Sequence, residues 1–242
     1  MNEQQQKQLD EQGYLIFKNI LSPAEVLSIL ARLEELWAAE GDQAGEENYI
    51  EPGVRRLANL ANKGELFRAL YAHPQVLEVV KAVMGSEMRA AMVNARDVPP
   101  QTGVRMPFHM DSDKGRVRDE KGYSAATAIW MLDEFSVANG ATAFVPGSHL
   151  LGKSPRDALP DLNASHPEEI VIEGQPGDVL VFNGHCWHAG RPNETDGHRR
   201  AVLVHYLRAD VPRPGNRRQH LDPDQAAALS PRERELLGLD DE

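Results

Sequence analysis

The chain has one cysteine, Cys186, in 242 residues, so no disulfide can form within it. Its fold must rest on a packed core, which a chain of this length can bury without covalent staples. A lone thiol also fits a reducing compartment. Long apolar runs are missing too. None approaches the roughly 20 residues of a membrane-spanning helix, and the polar start, residues 1–10, lacks the apolar centre of a signal peptide. The cytoplasm is the expected location, with no membrane as partner. Positive charge is scarce: 26 Lys and Arg face 37 Asp and Glu, for a net charge of −11. That balance disfavours nucleic acid or an anionic lipid surface as partner and leaves a small molecule as the expected one. No internal repeat or low-complexity tract is found. What is present, 41% hydrophobic and 26% charged residues, belongs to a globular chain.

The pattern changes along the chain. Residues 4–12 read as a short polar helix and 13–17 as a strand. Ser22, Pro23 and Glu25 open a second helix, with Ser22 and Glu25 forming a capping box. Residues 65–84 carry helical apolar spacing, split at His73 by Pro74 and stopped by Gly85. From residue 86 onward short strands alternate with turns: 88–98, 104–111, 123–132, 141–145, 170–172, 179–182, 186–188 and 200–207. Helices followed by about eight short strands predict a mainly β chain, a double-stranded β-helix (jelly-roll or cupin-like) core buttressed by N-terminal helices. We expect a single domain over 1–242: a helical support region 1–85, a jelly-roll core 86–210 and a C-terminal tail 211–242. Residues 41–53 read as an acidic loop. Residues 114–122 read as a charged loop at the mouth of the site.

The chemistry gathers in His109-Met110-Asp111. On a strand, residues i and i+2 point to one face, so His109 and Asp111 can share a metal. A distant histidine would complete two imidazoles and one carboxylate. That set leaves coordination positions open and suits non-haem Fe(II). His185 and His188 compete for this third place, and on a regular strand they would face opposite sides. Downstream, Arg199 offers the planar, always-charged fork that best holds the far carboxylate of a dicarboxylate cosubstrate. The residues alone leave alternatives: a metal-dependent cupin-type enzyme that needs no Arg199, or a non-catalytic jelly-roll binding protein. Structural metals are usually fully ligated by protein, which counts against the latter. His149 reads as a turn histidine, Cys186 as a buried filler and Arg200 as a surface ion-pair partner. His205 shares the face of Arg199 and reads as a packed histidine.

Several segments in order resemble the phytanoyl-CoA dioxygenase family of Fe(II)/2-oxoglutarate-dependent oxygenases: F-H-M-D-S at 108–112, N-G-A-T-A-F-V-P-G-S-H at 139–149, P-G-D-V-L-V-F at 176–182 and W-H-A-G-R-P-N-E-T-D-G-H-R-R-A at 187–201. R-R-L-A-N-L at 55–60 and A-H-P-Q-V-L at 72–77 resemble the family's N-terminal half. The resemblance spans roughly residues 13–210. It implies that His109, Asp111 and His188 ligate Fe(II), that Arg199 binds 2-oxoglutarate, and that Thr142 and Asn94 contact the cosubstrate. With O2, such a site would hydroxylate a C–H bond and release succinate and CO2. A carboxylate at 111 fills the place that related halogenases free for chloride, so hydroxylation is expected over halogenation, with desaturation or ring formation left open. Two positions depart from the pattern. Many relatives carry serine two residues after the distal histidine, where this chain has Gly190. Fungal relatives often carry glutamine three residues before the first, where it has Met106. The resemblance does not fix the substrate. The loops over 41–62 and 113–123, where selectivity is expected, hold no recognisable motif.

Overall fold

A computed structural model describes residues 1–47, 53–85, 87–102, 105–112, 118–212 and 221–239. Parts of four expected features lie outside the described residues: 48–52 of the acidic loop, 113–117 of the charged loop, the start of the strand at 104, and 213–220 and 240–242 of the tail.

In chain order the elements are helix α1 (Glu3–Gln12), strand β1 (Tyr14–Phe17), α2 (Pro23–Glu40), β2 (Arg55–Leu57), α3 (Glu65–Tyr71), α4 (Pro74–Met84), β3 (Met88–Val98), β4 (Ala125–Met131), β5 (Ala143–Val145), α5 (Pro155–Ala158), β6 (Ile170–Val171), β7 (Val179–Asn183), β8 (Trp187–Ala189), β9 (Arg199–Arg208), α6 (Pro223–Ala227) and α7 (Pro231–Leu237). Local chemistry sets the helix ends. Ser22 accepts from the Glu25 backbone N–H while the Glu25 carboxylate bonds back to Ser22, the reciprocal cap its sequence predicts. His73, held extended before Pro74, separates α3 from α4.

The strands form two antiparallel sheets. The larger runs β1-β7-β4-β9-β3-β2 and the smaller β6-β5-β8. The N-terminal region therefore contributes more than helices, because β1 and β2 are the two edges of the larger sheet. Both faces of that sheet are covered, and strand alternation sorts its side chains. Ala126, Ala128 and Trp130 of β4, Val179 and Val181 of β7, and Val202, Val204 and Tyr206 of β9 turn to the helices and join one apolar core with α2, α3, α4 and α7. Ile129 and Met131, Leu180 and Phe182, and Ala201 turn the other way and meet Phe144 of β5 in a second core between the sheets. The site opens on this inner face. Residues 105–111 do not form the regular strand expected over 104–111; only His109 bridges to His188. Pro107 has no N–H to give to a ladder, and the Phe108 N–H goes instead to the Leu162 carbonyl, 2.8 Å away.

Candidate metal centre and cosubstrate pocket

The two histidines meet through the backbone. His109 N–H donates to the His188 carbonyl (3.0 Å) and His188 N–H to the His109 carbonyl (3.1 Å). Directly opposed residues project to one side, and the imidazole centroids lie 4.2 Å apart. Asp111, two residues on, is fixed by its N–H to the Gly184 carbonyl at 2.8 Å. One ligand atom from each of His109, Asp111 and His188 falls within 4.8 Å of the others. Among the described residues this is the one His/Cys/Asp/Glu group with such geometry.

The surroundings fit the donors to a metal. Nδ1 of His109 lies 3.0 Å from the Pro107 carbonyl, and Nδ1 of His188 lies 3.0 Å from the Cys186 carbonyl. A carbonyl only accepts, so both rings carry a proton on Nδ1 and turn Nε2 inward as the atom that can ligate a metal once any proton there is lost. Asp111 Oδ2 accepts from Thr127 Oγ1 at 2.6 Å, while Oδ1 faces His188 Nε2 at 3.5 Å. Thr127 has one hydrogen and gives it to the carboxylate. Its 3.0 Å contact with His205 Nδ1 must then be a bond donated by His205. His205 thus braces Thr127, and Thr127 braces Asp111.

Burial and charge act against each other here. Desolvation, aided by the charge of His188, pushes the His109 pKa down to about 4. Burial also opposes protonation of His188, yet the Asp111 charge prevails and raises it. Burial works against ionisation of Asp111 as well, but the His188 charge and hydrogen bond hold its carboxyl below the ordinary range. Desolvation lowers the His205 pKa, against the pull of the Asp111 charge.

The triad opens into a cavity of about 200 Å³. Arg199, Thr142 and Asn94 line the same cavity, so all six residues singled out in the sequence come together. Arg199 is 4% exposed, its guanidinium 4.7 Å from the centre of the Phe135 ring. Arg200 points the other way and pairs with Asp133 and Glu34. His185 lies in the turn between β7 and β8 and is not part of the triad; it is fully buried, its ring bonding Ser124 and Asn183. His149 is also buried, its Nδ1 3.4 Å from Cys186 Sγ. His205 corrects the packed-histidine reading, because it lines the cavity. Sequence reasoning passed over Thr127, Arg56 and Arg96. For Thr127 a usable clue existed: it is the polar residue among Ile129 and Met131 on the inner face of β4. The two departures at Gly190 and Met106 form one corner. Met106 N–H bonds the Gly190 carbonyl at 2.9 Å, and a Cβ at 190 would lie 3.2 Å from Met106 Sδ and 3.4 Å from Arg96 Nη2.

A two-sheet jelly roll with an open two-histidine, one-carboxylate group defines the class of Fe(II)/2-oxoglutarate-dependent dioxygenases. Within it, the profile of the phytanoyl-CoA dioxygenase (PhyH) family matches residues 9–201, and the chain belongs to that family. Curated relatives include dioxygenase af480 of Aspergillus fumigatus, 29% identical over 98% of this chain and 77% of that protein. The ectoine dioxygenase of Bordetella parapertussis is 24% identical over 81% of this chain and 72% of its own length. Among solved structures, HygX from Streptomyces hygroscopicus, with nickel and 2-oxoglutarate bound, superposes with a TM-score of 0.70 at 19% identity. That match covers 88% of this chain and 89% of HygX. EctD from S. alaskensis, in its apo form, gives 0.71 at 22% identity over 86% and 77%.

Proposed function

We propose that this dioxygenase hydroxylates a C–H bond of a small molecule, with Fe(II) held by His109, Asp111 and His188 and 2-oxoglutarate held by Arg199. The observation that carries the reading is the convergence of three metal-competent donor atoms on a cavity whose wall also holds a buried guanidinium. When bound, Fe(II) with 2-oxoglutarate and O2 supplies the oxidising chemistry, in which loss of CO2 to leave succinate accompanies insertion of oxygen into substrate C–H. The protein's own residues do the rest. His109 and His188 present Nε2, Thr127 leaves Asp111 Oδ1 for the metal, and Arg199 offers two parallel N–H donors to the distal carboxylate. Thr142 and Asn94 are placed to hydrogen-bond the cosubstrate. Ile129, Phe182 and Leu203 line the remaining wall and keep the reacting carbon from water.

A cavity of about 200 Å³ supports a small-molecule substrate, as do the names of relatives such as the ectoine dioxygenase. The whole chain, 1–242, would act as one domain, with 1–85 as support, 86–210 as core and 211–242 as tail. Cytoplasmic location is supported by the single, buried cysteine. Among the described residues no helix is long and apolar enough to cross a membrane. The test is succinate formation. Purified protein with Fe(II), 2-oxoglutarate and O2 should form succinate, faster with substrate, and neither His188→Ala nor omission of iron should leave turnover. Absence of succinate under every condition would refute the proposal.

A further inference from the structure

Two of the side chains that line the cavity, Met92 and Met106, carry sulfur. A thioether is soft and polarisable, and its lone pair takes up oxygen far more readily than a C–H bond does. The neighbours on the same wall, Ile129, Phe182 and Leu203, offer only C–H bonds. In a site that oxidises carbon, a sulfur at the wall is therefore the most easily oxidised atom in reach. Whether it is attacked depends on where it is held.

Met106 is placed by the backbone. Its N–H donates to the Gly190 carbonyl at 2.9 Å, and the His109 N–H donates to the His188 carbonyl at 3.0 Å. Met106 precedes His109 by three residues and Gly190 follows His188 by two, so this pair stands beside the bridge that carries both histidine ligands. The side chain is held as well. Arg96 Nη2 donates to Met106 Sδ at 3.1 Å. Gly190 supplies the room: a Cβ there would lie 3.2 Å from Sδ and 3.3 Å from Cγ of Met106. Arg96 and Gly190 both line the cavity, so the contacts that fix the sulfur also set it at the wall. The bond from Arg96 engages one lone pair of the sulfur and leaves the second for reaction. Met92 lies elsewhere on the wall, opposite His205 across β3 and β9, and serves as the internal comparison.

We propose that Met106 is a site of self-oxidation: when no substrate fills the cavity, turnover carries one oxygen atom of O2 onto Met106 Sδ and leaves a sulfoxide. The step balances. The sulfide and 2-oxoglutarate each give up two electrons, and O2 accepts four. One oxygen atom ends on sulfur, the other in succinate, and CO2 leaves. The product is polar where the thioether was apolar, and its oxygen accepts from the Arg96 N–H more strongly than sulfur does. The inference rests on the oxygenase reading and adds a modification site to it. Its test needs no substrate. Purified protein is incubated with Fe(II), 2-oxoglutarate and isotopically heavy O2, with catalase present to remove free peroxide. Peptide mass spectrometry then maps the chain while succinate is measured in the same sample. Met106 should gain one heavy oxygen atom in most chains and Met92 none. The gain should vanish without 2-oxoglutarate and in His188→Ala. The intact Met106→Leu chain should gain no oxygen, while that variant keeps the visible iron–2-oxoglutarate absorption band. Succinate formed with Met106 unmodified, oxygen placed on Met92 or another residue instead, or equal oxidation of Met106 without 2-oxoglutarate overturns the proposal. Absence of both succinate and the band is a different result: it refutes the oxygenase reading itself, and this proposal with it.

Discussion

At the residue scale, the metal group depends on side chains that never touch the metal. Thr127 donates to Asp111, and His205 donates to Thr127. Outer partners of this kind typically change metal affinity 10- to 100-fold. Thr127→Val, close in shape but unable to donate, should weaken Fe(II) binding by about tenfold or more in a chelator competition, and Thr127→Ser should restore it. Equal affinity in all three proteins would show the brace to be idle. Protonation gives a second prediction. Asp111 raises the pKa of His188, so in iron-free protein His188 keeps a proton where an ordinary histidine has lost it. Fe(II) must displace that proton. Iron affinity should therefore rise with pH through the range just above the ordinary histidine value, and binding should release a proton, measurable by calorimetry in two buffers of different ionisation heat. His109 and Asp111 stood out in the sequence as H-x-D, and the family resemblance chose His188 over His185; the structure joins them through the single bridge at His109 rather than a regular strand. Thr127 gave a weaker signal, one polar residue on the inner face of an apolar strand, and its role shows only once Asp111 and His205 are placed beside it.

At the element scale, alternation was the dependable guide. The period of two along β9 separated Arg199, Ala201, Leu203 and His205 from Val202, Val204 and Tyr206, and the two sets do face the cavity and the helices. The sequence could not show that 105–111 meets β8 at a single bridge, because that depends on which loops take up the N–H groups beside Pro107. The P-G-D turn before β7 shows how connections are fixed. Gly177 takes φ +93° where a Cβ would lie 2.4 Å from the Leu21 carbonyl oxygen. Asp178, 1% exposed, accepts from Lys18 Nζ and from the backbone of Asn19 and Gln175, at 2.8–2.9 Å. Burial alone would raise its pKa, but these donors prevail and lower it. A lowered carboxylate pKa gives stability that is present above the unfolded value and lost as pH falls through the folded one. Asp178→Asn should thus cost about 1–3 kcal/mol at neutral pH, and its melting temperature should converge on that of wild type in acid. A gap that stays constant with pH would contradict this account.

At the scale of the whole molecule, the larger sheet joins two environments, helices on one face and the oxidising cavity on the other. The tail belongs to the first. The sequence left open whether it folds back or meets a partner; α7 packs on β3, with Leu236 and Leu237 fully buried. Leu237→Ala should cost about 2–5 kcal/mol in chemical denaturation without altering the iron affinity of the folded protein, because the sheet separates the two. The central claim, that one cavity holds Fe(II) and 2-oxoglutarate together, is tested most directly by anaerobic titration. Fe(II) and then 2-oxoglutarate are added to wild type, Arg199→Ala and His188→Ala while the visible metal-to-ligand charge-transfer band is followed. The account predicts a band in wild type, a band that needs far more 2-oxoglutarate without Arg199, and none without His188. Tight iron binding with no band in wild type, or a 2-oxoglutarate requirement unchanged in Arg199→Ala, would contradict it.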